Sequence, residues 1–160
     1  MALAPESHVS LVSDPPNIHV SMTRSPLSMQ ESASKVKSPK AGAIVLFAGT
    51  TRDNFDGKPV KHLEYSAYEG LALKTMRSIA EQMVEKHSLI GISIVHRLGV
   101  VPIGEESVII AVAAPHRQAA WRAGEETLEE VKASVEIWKL EEFGDGSVWR
   151  ANADGCNKTE

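Results

Sequence analysis

One cysteine, Cys156, is the whole thiol inventory of this 160-residue chain. A lone cysteine closes no internal disulfide and builds no thiolate metal site. The six histidines, His8, His19, His62, His87, His96 and His116, show no ligand-type spacing, so no metal is expected. No apolar run approaches the length of a membrane span, and the N-terminus lacks the basic-then-apolar order of a secretory signal. A cytosolic protein without membrane contact is the expectation. Basic charge is also short: a net charge of -4 argues against nucleic-acid binding, which needs a positive surface. A Walker-type phosphate loop, a GxGxxG turn and a GxSxG nucleophile elbow are missing too. Nucleotide-dependent and metal-dependent chemistry drop out, and no cofactor is expected.

What is present suits one domain with a real core, since an apolar fraction of 42% beside 24% charged residues is ordinary for a globular chain. The expected organisation is a tail at 1–7, a single α+β domain at 8–152 and a polar tail at 153–160. Residues 1–40 hold five of the eight prolines and nine serines, which marks them as loosely organised. Within them, His8 to Val12 alternates as an edge strand. Ser25 and Pro26 predict a helix start, with Leu27, Met29, Ala33 and Val36 as its weak apolar face.

From there the periodicity sharpens. The unbroken apolar run from Ala41 to Gly49 reads as a central strand covered on both faces. Further strands are predicted at 60–68, 90–98, 107–114, 136–143 and 147–151. Leu63, Tyr65 and Ala67 share one face of the first of these. Ala72, Met76, Ile79, Ala80 and Met83 form a helical core stripe within 71–87. In a second helix, 117–134, the small residues Ala120, Ala123 and Gly124 would let it lie close to a sheet. Short links favour a mixed, largely antiparallel sheet with helices packed on one face, an α+β fold.

Five cations stand at the ends of these elements. Lys132, on the second helix, and Lys139, on the following strand beside Trp138, lie seven residues apart across the helix-to-strand junction. Arg52 comes just after the first apolar strand, where a rigid scaffold can aim it. His116 and Arg117 open the second helix, whose N-terminus favours an anion. Each has a plain alternative: solvated lysines, an arginine paired with Asp53 or Asp56, a histidine cap. Gathered together, they would hold an anionic substrate and stabilise an oxyanion.

Five blocks in register resemble a known family. They are Gly42 to Asn54, Leu63 to Tyr68, His96-Arg97-Leu98-Gly99, Ala114-Pro115-His116-Arg117 and Ile137-Trp138-Lys139-Leu140-Glu141. Together they look like the large, catalytic subunits of molybdopterin synthase, over about residues 9 to 152. The resemblance implies a hammerhead-type α+β fold that forms a homodimer. It also implies a heterotetramer with a small ubiquitin-like subunit, whose C-terminal Gly-Gly thiocarboxylate enters the active site. The implied reaction is sulfur transfer to cyclic pyranopterin monophosphate (precursor Z), giving the dithiolene of molybdopterin.

On the same basis Lys132 and Lys139 match the two essential lysines, and Arg52 a pocket arginine. His116 and Arg117 match a pair that can reach a neighbouring protomer's pocket. Phe47 matches an aromatic lining position. Glu141, with Trp138, matches support for the lysine-bearing strand. Two positions depart: Glu136 stands where proline is usual, and Leu140 where Lys or Arg is usual. Glu136 is expected to face solvent or pair with a lysine. An apolar patch to which Phe143, Val148 and Trp149 contribute is expected to receive the partner, with packing into the protein's own core an equal alternative for Trp149. The alternative from another class is a non-catalytic adaptor for a Gly-Gly tail; a third reading is a dimer binding some other anionic metabolite.

Overall fold

The computed structural model describes residues 8–11, 17–146 and 148–152, so the expected tails at 1–7 and 153–160 lie outside the described residues. The elements run β1 (His8–Leu11), β2 (Asn17–Thr23), α1 (Met29–Val36), β3 (Ala43–Thr50), β4 (Asn54–Phe55), β5 (Lys58–Ala67), α2 (Glu69–His87), β6 (Gly91–Arg97), β7 (Gly99–Pro102), β8 (Glu106–Ala114), α3 (Arg117–Ser134), β9 (Ile137–Phe143) and β10 (Val148–Asn152). They build two sheets: β1-β2-β6-β8-β3, and β10-β9-β5-β4 with β7 also on β5. β2 and β6 are parallel and the other pairings antiparallel, as the mixed, largely antiparallel expectation required.

The first sheet is covered on both faces, which corrects the expectation of helices on one face only. Successive side chains of a strand point to opposite sides. On β8, Ile110, Val112 and Ala114 join the main core. Ala111 and Ala113 instead pack with Val36 of α1. The second face is shallow because its residues are small. A Cβ on Gly91 would already lie 3.3 Å from Val36. On the main-core face, α3 approaches closely through Gly124, whose added Cβ would lie 3.1 Å from Val45 Cγ1.

Strand β3 is not central; it is an edge strand, paired only with β8 among the described residues. Its run is apolar because Val45 packs towards α3 and Leu46 belongs to the cluster under α1. Ile44 is left 38% exposed.

Two features of the N-terminal region differ from expectation. β2 was read as loose sequence, yet Ile18, Val20 and Met22 alternate and are buried. Helix α1 starts at Met29, because Ser28 Oγ accepts the Glu31 N–H at 3.2 Å. Ser28 and Glu31 have the spacing of a capping box, a stronger start signal than Ser25 and Pro26. Between β6 and β8 the chain also forms the short strand β7, which was not among the predicted strands and pairs with β5.

In the second sheet, the β5–β9 register sets Leu63 opposite Glu141 and Tyr65 opposite Lys139. All four side chains are buried on the inner face. No helix among the described residues is long and apolar enough to cross a membrane.

Candidate functional site

Where the end of β3, the start of β8, the last turn of α3 and the inner face of the second sheet meet, they enclose a cavity of about 430 Å³. Arg52, Lys132, Lys139, Phe47 and Glu141 all line it. Three cations thus face one carboxylate in a chain that is negative overall.

Each cation arrives by a different route. Lys139 reaches inward because β9 alternates: Ile137, Lys139, Glu141 and Phe143 are buried, while Trp138, Leu140 and Glu142 are half-buried on the outer face. Its Nζ lies 3.4 Å from Glu141 Oε1. Glu141 is 4% exposed, and its Oε2 has no hydrogen-bond partner among the described residues. Lys132 stands exposed in the last turn of α3 next to buried Val131, where the negative end of the helix favours a cation. Arg52 is exposed two residues beyond β3, with no ion pair to Asp53 or Asp56; Asp53 instead accepts from Asn54 Nδ2 at 2.6 Å. Its base is firm, because buried Thr51 donates its N–H to Glu105 O at 3.0 Å and accepts from the Gly104 N–H at 2.8 Å.

His116 and Arg117 do not join this group. Both are exposed at the opposite end of α3, and at 1.5 Å per residue the helix separates Arg117 from Lys132 by about 22 Å. Trp138 faces the other way as well, meeting Tyr68 edge-on with ring centroids 5.1 Å apart. It lines a second groove of about 670 Å³ with Tyr68, Leu140 and Lys139. Leu140 therefore brings no charge to the cationic cavity.

Glu136 neither faces open solvent nor pairs with a lysine, as had been expected. It accepts a hydrogen bond from Thr75 of α2, with Oγ1 at 3.0 and 2.9 Å from its two oxygens. Phe143 is buried in the core and cannot receive a partner, whereas Val148 is exposed. The Trp149 side chain lies outside the described residues. Asn54, Phe55, Tyr65 and Ser107 line the cavity without having been singled out. Alternation put Tyr65 on the inner face of β5, but only the cross-strand register shows that it faces Lys139.

The family described as MoaE protein matches residues 22–134, a span that holds Arg52, His116, Arg117 and Lys132 and stops short of Lys139. The molybdopterin synthase catalytic subunit of Sclerotinia sclerotiorum is 62% identical over 142 residues, covering 88% of this chain and 72% of that protein. The structure of molybdopterin synthase from Staphylococcus aureus matches with a TM-score of 0.77 at 34% identity, over 81% of this chain and 94% of that one. A protein–protein complex of subunits 1 and 2 of molybdopterin-converting factor from Helicobacter pylori shares the fold, with a TM-score of 0.64 at 21% identity over 85% and 90% of the two chains. With a family match over most of its length and a relative this similar, the chain belongs to the MoaE family, the molybdopterin synthase catalytic subunits, which are sulfurtransferases of molybdenum cofactor biosynthesis.

Proposed function

We propose that the cationic cavity is where sulfur passes from the C-terminal thiocarboxylate of a small ubiquitin-like subunit to precursor Z, building the dithiolene. The observation that carries this reading is the convergence of Arg52, Lys132 and Lys139 on one recess. Both reactants are anions, and an acidic protein brings them together only where positive charge is concentrated. Arg52 holds the cyclic phosphate by paired, charge-assisted hydrogen bonds. The thiocarboxylate sulfur bonds to a pterin side-chain carbon as that carbon's bond to oxygen breaks, the departing oxygen taking a proton from Lys139 as general acid, and water then adds to the acyl carbon. Lys132 stabilises the oxyanion of that tetrahedral intermediate. The acyl carbon–sulfur bond breaks, the tail leaves as a carboxylate, and sulfur stays on the substrate as a thiolate beside Lys139. A second loaded tail repeats the sequence. Glu141 holds the Lys139 ammonium in place.

The groove on the outer face of the second sheet suits the tail, because Lys139 lines both this groove and the cavity. The two-subunit complex in Helicobacter pylori supports a partner of this kind. His116 and Arg117 serve the partner protomer's cavity rather than their own. The open edge of β3 supports a two-fold dimer, since two antiparallel copies of this strand would form one ladder. Gly42 donates to Ala114 O at 3.0 Å, so the start of β3 lies close to His116. An antiparallel partner strand brings that end alongside the other protomer's Thr50 and Arg52. Two small subunits on this dimer make the heterotetramer.

Purified protein supplied with thiocarboxylated small subunit and precursor Z tests the reading. Dithiolene formation that survives in both Lys132→Ala and Lys139→Ala would remove the cavity from the reaction, and tail binding without turnover would favour the adaptor.

A further inference from the structure

Lys132 and Lys139 approach the cavity from either side of a short link, Val135 and Glu136, and what fixes that link fixes their spacing. Val135 is extended, with φ −76° and ψ 136°, and its N–H closes α3 on Val131 O at 3.2 Å. Beyond it, β9 is held by its ladder to β5, which begins at Ala67 opposite Ile137. Three contacts with the α2 region add to that hold at the junction itself. The Thr75 hydroxyl is held between the two Glu136 carboxylate oxygens. The Tyr68 N–H donates to Glu136 O at 3.3 Å. The Trp138 ring stands on Tyr68. The platform is firm, because Ala72 and Met76 on either side of Thr75 are fully buried.

A proline at this position would stiffen the link by locking φ. Glutamate gives no such restraint, so the link depends on its contacts. We propose that Thr75 and Glu136 are positioning residues: their hydrogen bond holds β9 so that Lys139 and Lys132 keep a reactive spacing. This rests on the reading of the cavity given above. The tether joins residues 61 apart in sequence. It touches no reacting atom and acts only through the lysines.

The test is steady-state kinetics with thiocarboxylated small subunit and precursor Z, with Lys139→Ala run in parallel. A misplacement of about 1 Å costs up to ~10²-fold in rate. Thr75→Val and Glu136→Ala should therefore each lower kcat by about tenfold or more, with KM within about twofold of the parent. Because the two residues share one bond, the double variant should be no slower than the slower single variant. Thr75→Ser restores the hydroxyl and should restore kcat. Amide hydrogen exchange gives a readout independent of turnover: Ile137 to Leu140 should exchange faster in Thr75→Val while α2 and α3 keep their protection. Unchanged kcat and unchanged exchange in Thr75→Val, with Lys139→Ala inactive, overturn the tether and leave the cavity reading standing. A fully active Lys139→Ala removes Lys139 from the reaction and the tether's role falls with it, while the cavity reading itself is overturned only if Lys132→Ala is fully active as well.

Discussion

Lys139 Nζ lies 3.4 Å from Glu141 Oε1, with the two residues one strand repeat apart on the inner face of β9. Both side chains are almost wholly buried, at 11% and 5% exposure. A buried pair of this kind adds little net stability, because desolvation offsets the attraction, but removing one partner strands the other. Its place is better explained by the cavity it faces than by the fold it sits in.

Loss of that pair should show in both stability and rate. Glu141→Ala removes the buried carboxylate beside the Lys139 ammonium and should destabilise the protein, read by chemical denaturation. Lys139→Ala should slow dithiolene formation by ~10²–10³ in single-turnover assays, the usual cost of losing one donor that stabilises developing negative charge. A normal rate in that variant would exclude Lys139 from the chemistry.

Arg52 is exposed and carries no core packing, so Arg52→Ala should leave the melting temperature nearly unchanged. Its loss should appear as weaker binding of precursor Z, by about tenfold or more for a lost charge-assisted contact. Calorimetric titration measures it directly, and equal affinity in the two proteins would move the phosphate elsewhere.

Subunit exchange between Arg117→Ala and Lys132→Ala tests the cross-protomer role. If Arg117 serves the partner's cavity, each mixed dimer has one intact site, and an equal mixture should recover about a quarter of parental activity. A cis role leaves both sites of the mixed dimer defective, and no activity returns.

Gly42 sits where β3 begins against the end of β8, and a Cβ there would lie 2.4 Å from Pro115 O. Backbone cannot step aside as a side chain can, so Gly42→Ala should cost about 1–3 kcal/mol. Gly124→Ala should be milder. Its added methyl is tight only against a side chain, Val45 Cγ1 at 3.1 Å, with Val112 Cγ2 in ordinary contact at 3.7 Å, and alanine gains about 1 kcal/mol of helix propensity. Paired thermal melts compare the two.

Burial, and then the nearby Lys35 charge, hold the His19 imidazole below its ordinary value of 6.5. The unfolded chain therefore takes up this proton more readily than the folded one. The contribution is complete above about pH 6.5 and is lost as pH falls towards the folded value. Urea midpoints should decline in that window, and His19→Gln should flatten the decline. Glu126 acts at lower pH: hydrogen bonds from Lys86 and His87 hold its carboxyl below 4.5, so its contribution is present above 4.5 and lost as pH falls through the folded value.

Much of the fold was legible because burial on one face imposes a local period. The Leu63, Tyr65 and Ala67 alternation and the Ala72 to Met83 stripe are examples, and α3 matches its expected span at both ends. β2 was equally periodic but lay among serines and prolines that pointed to loose chain. β3 misled for a different reason. Cover on both faces makes a strand uniformly apolar, whether it lies at the centre of a sheet or at its edge.

The α+β class, the family and the cations to watch could all be read along the chain, since each depends on local pattern or on blocks in register. Which of those cations meet could not. Arg52, Lys132 and Lys139 converge, while His116 and Arg117 stand a helix length away. The tertiary fold also turned Glu136 from a lysine neighbour into a partner of Thr75. The reason is that side-chain direction follows from the period of one element. Which elements face one another follows from strand register and helix packing, and those are settled by contacts between distant parts of the chain.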